Sequence, residues 1–219
     1  MNFMQEVALS AKNIWEQSAN ESFLTEMGNG TLNRKQFLDY IVQDSIYLRD
    51  YLKAYAMAMF KCRTLKEMQV FYSVLGFVND SENATRLKYL EDNNMTDDDV
   101  ENVQKKPECA AYTKFLIDAA VNYDVPEILM AVMPCMFGYY DVFMLVRQKY
   151  PQVIDSYFGG LVADYTSKEY AECCDYWMDF TNDICKDLSD ERKKKLKEVY
   201  LQASMHELYF WQMAGKTQE

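Results

Sequence analysis

The apolar residues of this chain recur at helical spacing along almost its whole length, and no stretch alternates long enough to predict a strand. Phe3, Val7, Ala11 and Ile14 begin this pattern. Chain breakers are scarce, since only 7 Gly and 4 Pro occur in 219 residues. A turn-rich all-β fold would need more of both. The sequence therefore predicts an all-α, single-domain helical bundle spanning residues 1–219.

Capping residues divide the pattern into helices. Asn33 with Gln36, and Thr64 with Glu67, resemble capping boxes that open two long helices, and Thr166 opens a later one. The predicted helices cover about 34–62, 65–92, 108–123, 126–149, 166–187 and 189–215.

The acidic composition argues against a nucleic-acid partner. The formal net charge is −11, and the one dense basic run, Arg192–Lys195, lies at the start of a predicted amphipathic helix. That run is most simply a solvated helix face, whereas binding to phosphates needs a broad basic surface. We therefore expect no nucleic acid to bind.

The sequence shows no evident targeting or membrane-spanning segment. Its first residues, MNFMQE, lack the basic start and apolar core of a signal peptide. No run of about 18 apolar residues is evident, so we expect no transmembrane helix. The six cysteines form no CxxC pair and lie inside helical patterns, which predicts free thiols. The expected location is the cytoplasm.

A single histidine, His206, restricts the available chemistry. Histidine-rich zinc sites and the paired Glu-x-x-His motifs of di-iron proteins cannot be built from one imidazole. Acid–base work would then fall to carboxylates and tyrosines. We expect no metal and no cofactor.

A proline and a cysteine stand together inside the predicted 126–149 helix. Pro134 removes a backbone hydrogen bond at a cost of roughly 3 kcal/mol, which a fold tolerates more readily if a local kink is useful. Cys135 and Tyr139 follow, one helical turn apart and on one face. The segment predicts either a site built around Cys135 or a kinked core helix with a buried, inert thiol.

One face of the predicted 34–62 helix combines tyrosines with a carboxylate. An arc of about 80° contains Tyr40, Asp44, Tyr47, Tyr51 and Tyr55. This face fits a pocket wall, on which rings stack against a planar ligand while the carboxylate binds a ring nitrogen or an amine. The alternative is a tyrosine-rich core in which a neighbouring hydroxyl satisfies Asp44.

Glu207 lies among large apolar residues of the last predicted helix, in the run HELYFW. Burial there would raise its pKa and suit it to acid–base catalysis. The alternative is a surface carboxylate beside an apolar face.

Five motifs, taken together and in order, carry a resemblance to a known family. They are IVQDSIYL around Asp44, AYT around Tyr112, PCxxxY from Pro134, DYTSKEY around Tyr165 and ExxFWxxA from Glu207. The set closely resembles the TenA family of thiaminase II enzymes over nearly the whole chain. The resemblance implies an all-α bundle like that of haem oxygenase, assembled as a homotetramer.

The same resemblance implies hydrolysis at the carbon that joins an aminopyrimidine to its leaving group. Thiamine, or its breakdown product 4-amino-5-aminomethyl-2-methylpyrimidine, would give hydroxymethylpyrimidine for thiamine salvage. The nucleophile would be Cys135, Asp44 would bind the ring, and Glu207 would transfer protons. Stacking or hydrogen bonding to the ring would fall to Tyr47, Tyr112, Tyr139 and Tyr165.

Three departures from the family pattern concern the pocket lining and leave Cys135 in place. Glu21–Phe23 stands where many relatives have His-Pro-Phe, and Arg86 stands in place of a histidine. Gly159–Leu161 replaces an aromatic-rich stretch, so the pocket would lack an aromatic wall for a thiazole. We therefore expect the aminomethyl pyrimidine to be preferred over thiamine.

Two other functions are open on such a fold. A non-catalytic helical regulator or partner-binding protein is the first, but it would not need Cys135, Asp44 and Glu207 together. A redox enzyme is the second, as in haem oxygenase or relatives that take part in quinone-cofactor synthesis. It would want histidine ligands or a basic pocket, and this chain is acidic with one histidine.

Overall fold

The computed structural model describes residues 1–80 and 82–216 of the chain, with the backbone alone for residues 74, 76–80, 82, 83 and 97. These residues form helices joined by loops and contain no strand, which confirms the predicted all-α class. The helices are α1 (Phe3–Ser10), α2 (Lys12–Ser18), α3 (Ser22–Asn29), α4 (Arg34–Lys61), α5 (Leu65–Asp80), α6 (Glu82–Asp92), α7 (Asp97–Glu101), α8 (Pro107–Asn122), α9 (Val125–Lys149), α10 (Gly159–Tyr165), α11 (Lys168–Cys185) and α12 (Asp190–Gly215), with a 3₁₀ turn at Pro151–Asp155.

Helix starts follow the capping signals of the sequence with two corrections. The Asn33 side chain caps α4 by accepting from a backbone amide of its first turn. Gln36 does not complete a capping box, because its amide donates to the Ala214 carbonyl at 2.8 Å. The cap of α11 is Ser167 and not Thr166. Adjacent hydroxyl residues are both good caps, so the sequence alone could not choose between them.

Helix α9 is the core helix of the bundle. Its most apolar 18 residues have a mean hydropathy of 1.7, so by length and composition α9 could cross a membrane. The expectation that the chain contains no stretch apolar enough for a membrane helix is therefore wrong for α9. In the fold 72% of that stretch is buried, and α9 packs against α2, α4, α8, α11 and α12. Such burial is typical of a helix at the centre of a packed bundle.

In its middle, α9 contains Pro134 and packs closely against α2. The helix includes residues on both sides of Pro134, so the Met130 carbonyl lacks its helical N–H donor. One turn later Gly138 lies under the indole of Trp15 from α2. A Cβ at Gly138 would come within 2.6 Å of that ring. Glycine therefore sets how closely α2 approaches α9.

Aromatic rings form a continuous chain of contacts through the bundle. The ring centroids of Phe23 and Tyr40 are 5.0 Å apart, and the Tyr40 ring stacks on that of Trp211 with centroids 5.4 Å apart. Trp211 lies 4.9 Å from Tyr139, and Tyr139 lies 4.9 Å from Tyr165. Rings from α3, α4, α9, α10 and α12 thus pack as one core, and the hydroxyls of Tyr40 and Tyr139 lead from it to Asp44.

Candidate active site

Four helices bring polar side chains to one buried centre. Asp44 comes from α4, Tyr112 from α8, Cys135 from α9 and Glu207 from α12. The Glu207 carboxyl hydrogen-bonds with both Tyr112 and Cys135, and the charge of Asp44 acts on it. The three residues that sequence analysis proposes as catalytic therefore share one site.

Asp44 is a buried carboxylate at the end of a chain of phenols. The Tyr40 hydroxyl donates to that of Tyr139 at 3.1 Å, and the Tyr139 hydroxyl donates to Asp44 Oδ1 at 3.5 Å. Burial raises the pKa of Asp44 to about 6, while the Arg86 guanidinium and the Tyr139 hydroxyl oppose the rise. Asp44 is thus mostly ionised at neutral pH. Because the bond from Tyr139 is long, the carboxylate keeps acceptor capacity for a ligand.

Glu207 is only 2% exposed, so the interpretation as a surface carboxylate is wrong. The Tyr112 hydroxyl donates to Glu207 Oε1 at 2.7 Å, and the Cys135 thiol is its second hydrogen-bond partner. Burial raises the pKa of Glu207 to about 8, the negative charge of Asp44 adds to the rise, and the two hydrogen bonds oppose it. At neutral pH the carboxyl is therefore mostly protonated.

This raised pKa matches the carboxyl of Glu207 to a thiol. An ordinary glutamate is about four pH units more acidic than a cysteine, so taking a thiol proton would cost it about 6 kcal/mol. With the pKa of Glu207 at about 8, the gap to an ordinary thiol, whose pKa is about 8.5, nearly closes. Glu207 is therefore a much better proton acceptor for a thiol than an ordinary glutamate is.

Cys135 also differs from most other thiols of the chain in its exposure. It is partly exposed, whereas Cys62, Cys109, Cys174 and Cys185 are buried. Burial raises the pKa of Cys62 to about 11 and that of Cys109 and Cys185 to about 12, so these thiols are unreactive at neutral pH. Access and a basic neighbour distinguish Cys135 from these structural thiols.

Neutral phenols surround the Cys135 sulfur. The negative charge of an ionised Cys135 would raise the pKa of five phenols, those of Tyr40, Tyr47, Tyr51, Tyr112 and Tyr139. Burial is the main cause that raises the pKa of each of these phenols well above its usual 10. They stay protonated throughout the neutral range, so the centre around Cys135 is lined by neutral aromatic rings.

The remaining predicted tyrosines lie at different depths in the site. The Tyr47 ring lies 4.9 Å from that of Tyr112, and its buried hydroxyl forms no well-shaped hydrogen bond among the described residues. Tyr165 lies one ring further out, 4.9 Å from Tyr139 and stacked on Phe143 at 5.2 Å. Tyr47 thus lies beside Tyr112 within the polar centre, while Tyr165 supports the position of Tyr139.

The tyrosine face of α4 is a wall of the polar centre in its first part and hydrophobic core in its later part. Tyr40 and Tyr47 flank Asp44 at the polar centre. Further along, the Tyr51 and Tyr55 hydroxyls hydrogen-bond to each other at 3.1 Å, and Tyr55 packs edge-on against Trp177 at 5.6 Å. The later part of the face is therefore hydrophobic core with its hydroxyls paired.

His206 supports the site from outside. Its ring stacks on Tyr112 with centroids 5.2 Å apart and planes within 6°, and burial lowers its pKa. In the part of the chain that the structure describes, no group of three or more His, Cys, Asp or Glu side chains is placed to hold a metal ion. The donor set at the site suits thiol and acid–base chemistry.

A family model covers almost the entire chain. The TENA/THI-4/PQQC family matches residues 9–216. The chain belongs to this family. The resemblance carried by the five sequence motifs is thereby confirmed.

Relatives named aminopyrimidine aminohydrolase align with nearly the whole chain. The one from Halalkalibacterium halodurans is 26% identical over 214 residues, covering 98% of this chain and 96% of the relative. The one from Helicobacter pylori is 24% identical over 214 residues, covering 98% and 99%. A solved TenA homologue from P. horikoshii OT3 is 21% identical, has a TM-score of 0.85 and covers 98% of both chains. The last match shows the shared TENA/THI-4/PQQC fold.

The glycines that depart from the family pattern pack helices together. A Cβ on Gly159 would clash with the Ile154 carbonyl, and Gly160 faces Thr85 and Tyr89 of α6 at 3.2 and 3.4 Å. A methyl group at either position would therefore press on neighbouring atoms of the fold. That the pocket lacks an aromatic wall for a thiazole stays a prediction.

Two further residues contribute to this family member's site in ways that sequence analysis missed. Tyr40 was assigned only to the tyrosine face, yet its hydroxyl begins the chain to Asp44. Its position one helical turn before Asp44 was the available signal. Arg86 donates to the Ser45 hydroxyl, and its charge acts on Asp44. Because Arg86 comes from another helix, local spacing gave no signal for this contact.

Proposed function

We propose that this member of the TENA/THI-4/PQQC family is an aminopyrimidine hydrolase with Cys135 as its nucleophile. It would convert 4-amino-5-aminomethyl-2-methylpyrimidine, or thiamine, to hydroxymethylpyrimidine. The observation that carries the proposal is the hydrogen-bonded Cys135–Glu207 pair beside the Asp44 carboxylate. The relatives named aminopyrimidine aminohydrolase support it.

Asp44 would bind the polar edge of the pyrimidine. Its carboxylate accepts hydrogen bonds from the amino group and from a protonated ring nitrogen, and it stabilises positive charge there during the reaction. The Tyr139 hydroxyl, itself bonded by that of Tyr40, helps to orient the carboxylate. The rings of Tyr47 and Tyr112 beside it favour a planar ligand.

The chemistry would start in the molecules whose Glu207 is ionised, with transfer of the Cys135 proton to that carboxylate. The thiolate sulfur bonds to a carbon of the pyrimidine ring, which loses its aromaticity. The ring electrons then break the exocyclic C–N bond, and Glu207 gives its proton to the leaving amine. Water adds to the exocyclic carbon while Glu207 takes its proton. Expulsion of the sulfur as thiolate restores the aromatic ring and releases hydroxymethylpyrimidine.

The test is incubation of the purified protein with each pyrimidine in the presence of EDTA, since this chemistry needs no metal ion. With the aminomethyl pyrimidine, ammonia and hydroxymethylpyrimidine should appear in equal amounts. Chromatography with a product standard and an enzymatic ammonia assay measure the two. A non-catalytic regulator would release neither, and absence of product from both pyrimidines refutes the proposal.

A further inference from the structure

Arg86 is anchored on α4 at the residue next to Asp44. It is partly buried on α6, and its Nη1 donates a hydrogen bond to Ser45 Oγ. The Ser45 hydroxyl donates its own proton to the Ile41 carbonyl at 2.6 Å, so a lone pair is available to the guanidinium. Helices α4 and α6 pack directly on each other. The fold therefore holds a permanent positive charge beside a buried carboxylate.

The other titratable groups around Asp44 are acidic or neutral. Among the described residues they are Tyr40 on its own helix, Cys109 from α8, Tyr139 from α9 and Glu207 from α12. Burial favours the protonated form of Asp44, and the guanidinium of Arg86 is the main influence that favours the carboxylate. The ionisation of Asp44 at neutral pH thus depends on a residue from a separate helix.

We propose that Arg86 is a positioning residue that keeps Asp44 ionised at neutral pH, so that Asp44 can accept hydrogen bonds from the pyrimidine. The identity of the ligand rests on the proposed function, whereas the charge relation is a property of the protein alone. A protonated Asp44 would lose its charge and part of its acceptor capacity. Arg86 would therefore act on the substrate through Asp44 without touching it.

The ionisation of Asp44 can be measured in the free protein. Carbon-13 NMR of labelled aspartate carboxyls follows each titration, and Asp44→Asn assigns the signal. In Arg86→Gln, which keeps a donor for Ser45 but no charge, the Asp44 midpoint should rise by about one pH unit or more. In Arg86→Lys it should stay within about half a unit of wild type. Asp141, whose pKa burial raises to about 6, is the internal reference and should not move.

Two further variants separate charge from structure. Ser45→Ala removes the anchor without harming helix propensity, so it should raise the Asp44 midpoint in the same direction by a smaller amount. Lys88→Gln removes an exposed positive charge from the same helix and should leave the midpoint unchanged. If the Asp44 midpoint shifts in neither Arg86→Gln nor Ser45→Ala, Arg86 has no such role.

Kinetics distinguish failure of this inference from failure of the proposed function. At pH 7, kcat/KM of Arg86→Gln should fall about twofold if the Asp44 midpoint rises by about one pH unit and about tenfold if it rises by about two, because the ionised fraction of Asp44 falls by these factors from a midpoint of about 6. Arg86→Lys should recover most of the loss. A wild-type protein that hydrolyses the pyrimidine while the Arg86→Gln midpoint stays constant refutes the role of Arg86 alone. A shifted midpoint in a protein that hydrolyses no pyrimidine refutes the proposed function alone.

Discussion

The phenol of Tyr112 donates a 2.7 Å hydrogen bond to Glu207, a buried carboxyl that is mostly protonated at neutral pH. A donor of this kind favours the carboxylate over the protonated form, so it partly offsets the effect of burial. Tyr112 therefore controls how readily Glu207 takes a proton from Cys135. The contact joins α8 to α12 and links the packing of two helices to the acid–base chemistry of the site.

Tyr112→Phe should move the pH dependence of kcat/KM to higher pH. The Cys135–Glu207 pair must lose one proton before attack, and the pKa of Glu207 at about 8 places the acidic limb of the wild-type profile near that value. Loss of the phenol donor raises that pKa, and the limb should shift upward by about one unit. Tyr123→Phe alters an exposed tyrosine at the end of α8 and serves as control. If the acidic limb of the Tyr112→Phe profile lies at the same pH as in wild type, Tyr112 has a packing role and does not set the pKa of Glu207.

Glu207→Gln should change the pH dependence of stability. Because the pKa of Glu207 is raised from 4.5 to about 8 in the fold, its protonation stabilises the native state fully below pH 4.5. That stabilisation is lost as the pH rises towards 8, by at most about 1.4 kcal/mol per pH unit. Urea denaturation at several pH values should show this decline in wild type and in Glu198→Gln, an exposed change on the same helix. The same slope in Glu207→Gln would contradict the assignment.

Cys135→Ser should leave the fold intact and lower turnover by several orders of magnitude. A serine hydroxyl is almost wholly protonated at neutral pH and is too weak an acid for Glu207 to activate. Cys62→Ser is the control, because that residue follows the last turn of α4, away from Glu207, and its thiol donates to the Ala58 carbonyl at 3.3 Å. Circular dichroism checks the fold and a product assay measures the rate. Near wild-type turnover in Cys135→Ser would exclude covalent catalysis by this residue.

The aminomethyl pyrimidine should be a better substrate than thiamine, by about tenfold in kcat/KM, which requires about 1.4 kcal/mol of differential transition-state binding. Its leaving group is a small amine that Glu207 can protonate, whereas thiamine brings a bulky cationic thiazole. The buried rings around Glu207 limit the space beside that carboxyl. Parallel kinetics on the two compounds provide the test, and equal or better use of thiamine would refute the preference.

Gly138→Ala should destabilise the protein despite the better helix propensity of alanine. The new methyl group would lie about 2.6 Å from the Trp15 ring, and overpacking of this kind costs about 1–3 kcal/mol. The gain in propensity offsets no more than about 1 kcal/mol. Trp15→Phe in the same protein should recover part of the loss, as measured by urea denaturation. A single variant as stable as wild type would mean that α2 can move away from α9 freely.

The positions of single site residues follow from local spacing, but their pairings do not. Cys135 and Tyr139 lie one turn apart on α9, so their shared face was predictable from sequence. The contact between Cys135 and Glu207 depends on how α9 packs against α12, which no local pattern encodes. The charge that Arg86 provides to Asp44 is likewise a product of helix packing.

Small residues were the least predictable part of the fold. Gly159 resembles a gap in the pocket lining when only the sequence is considered. In the structure its missing side chain makes room for the Ile154 carbonyl. A glycine in the sequence can indicate a close contact, but it does not identify the neighbouring atom, because that atom belongs to another turn of the chain.

The chain of rings from Phe23 through Tyr40 and Trp211 to Tyr139 has an evolutionary consequence. If the proposed function holds, the rings that line the candidate site also hold the bundle together, so selection for turnover and selection for folding act on the same atoms. A lineage adapting to a new pyrimidine could not freely exchange these rings, since most replacements would reduce the amount of folded protein first. New specificities would more readily arise from residues such as Arg86, which adjust charge at the site without belonging to the aromatic core.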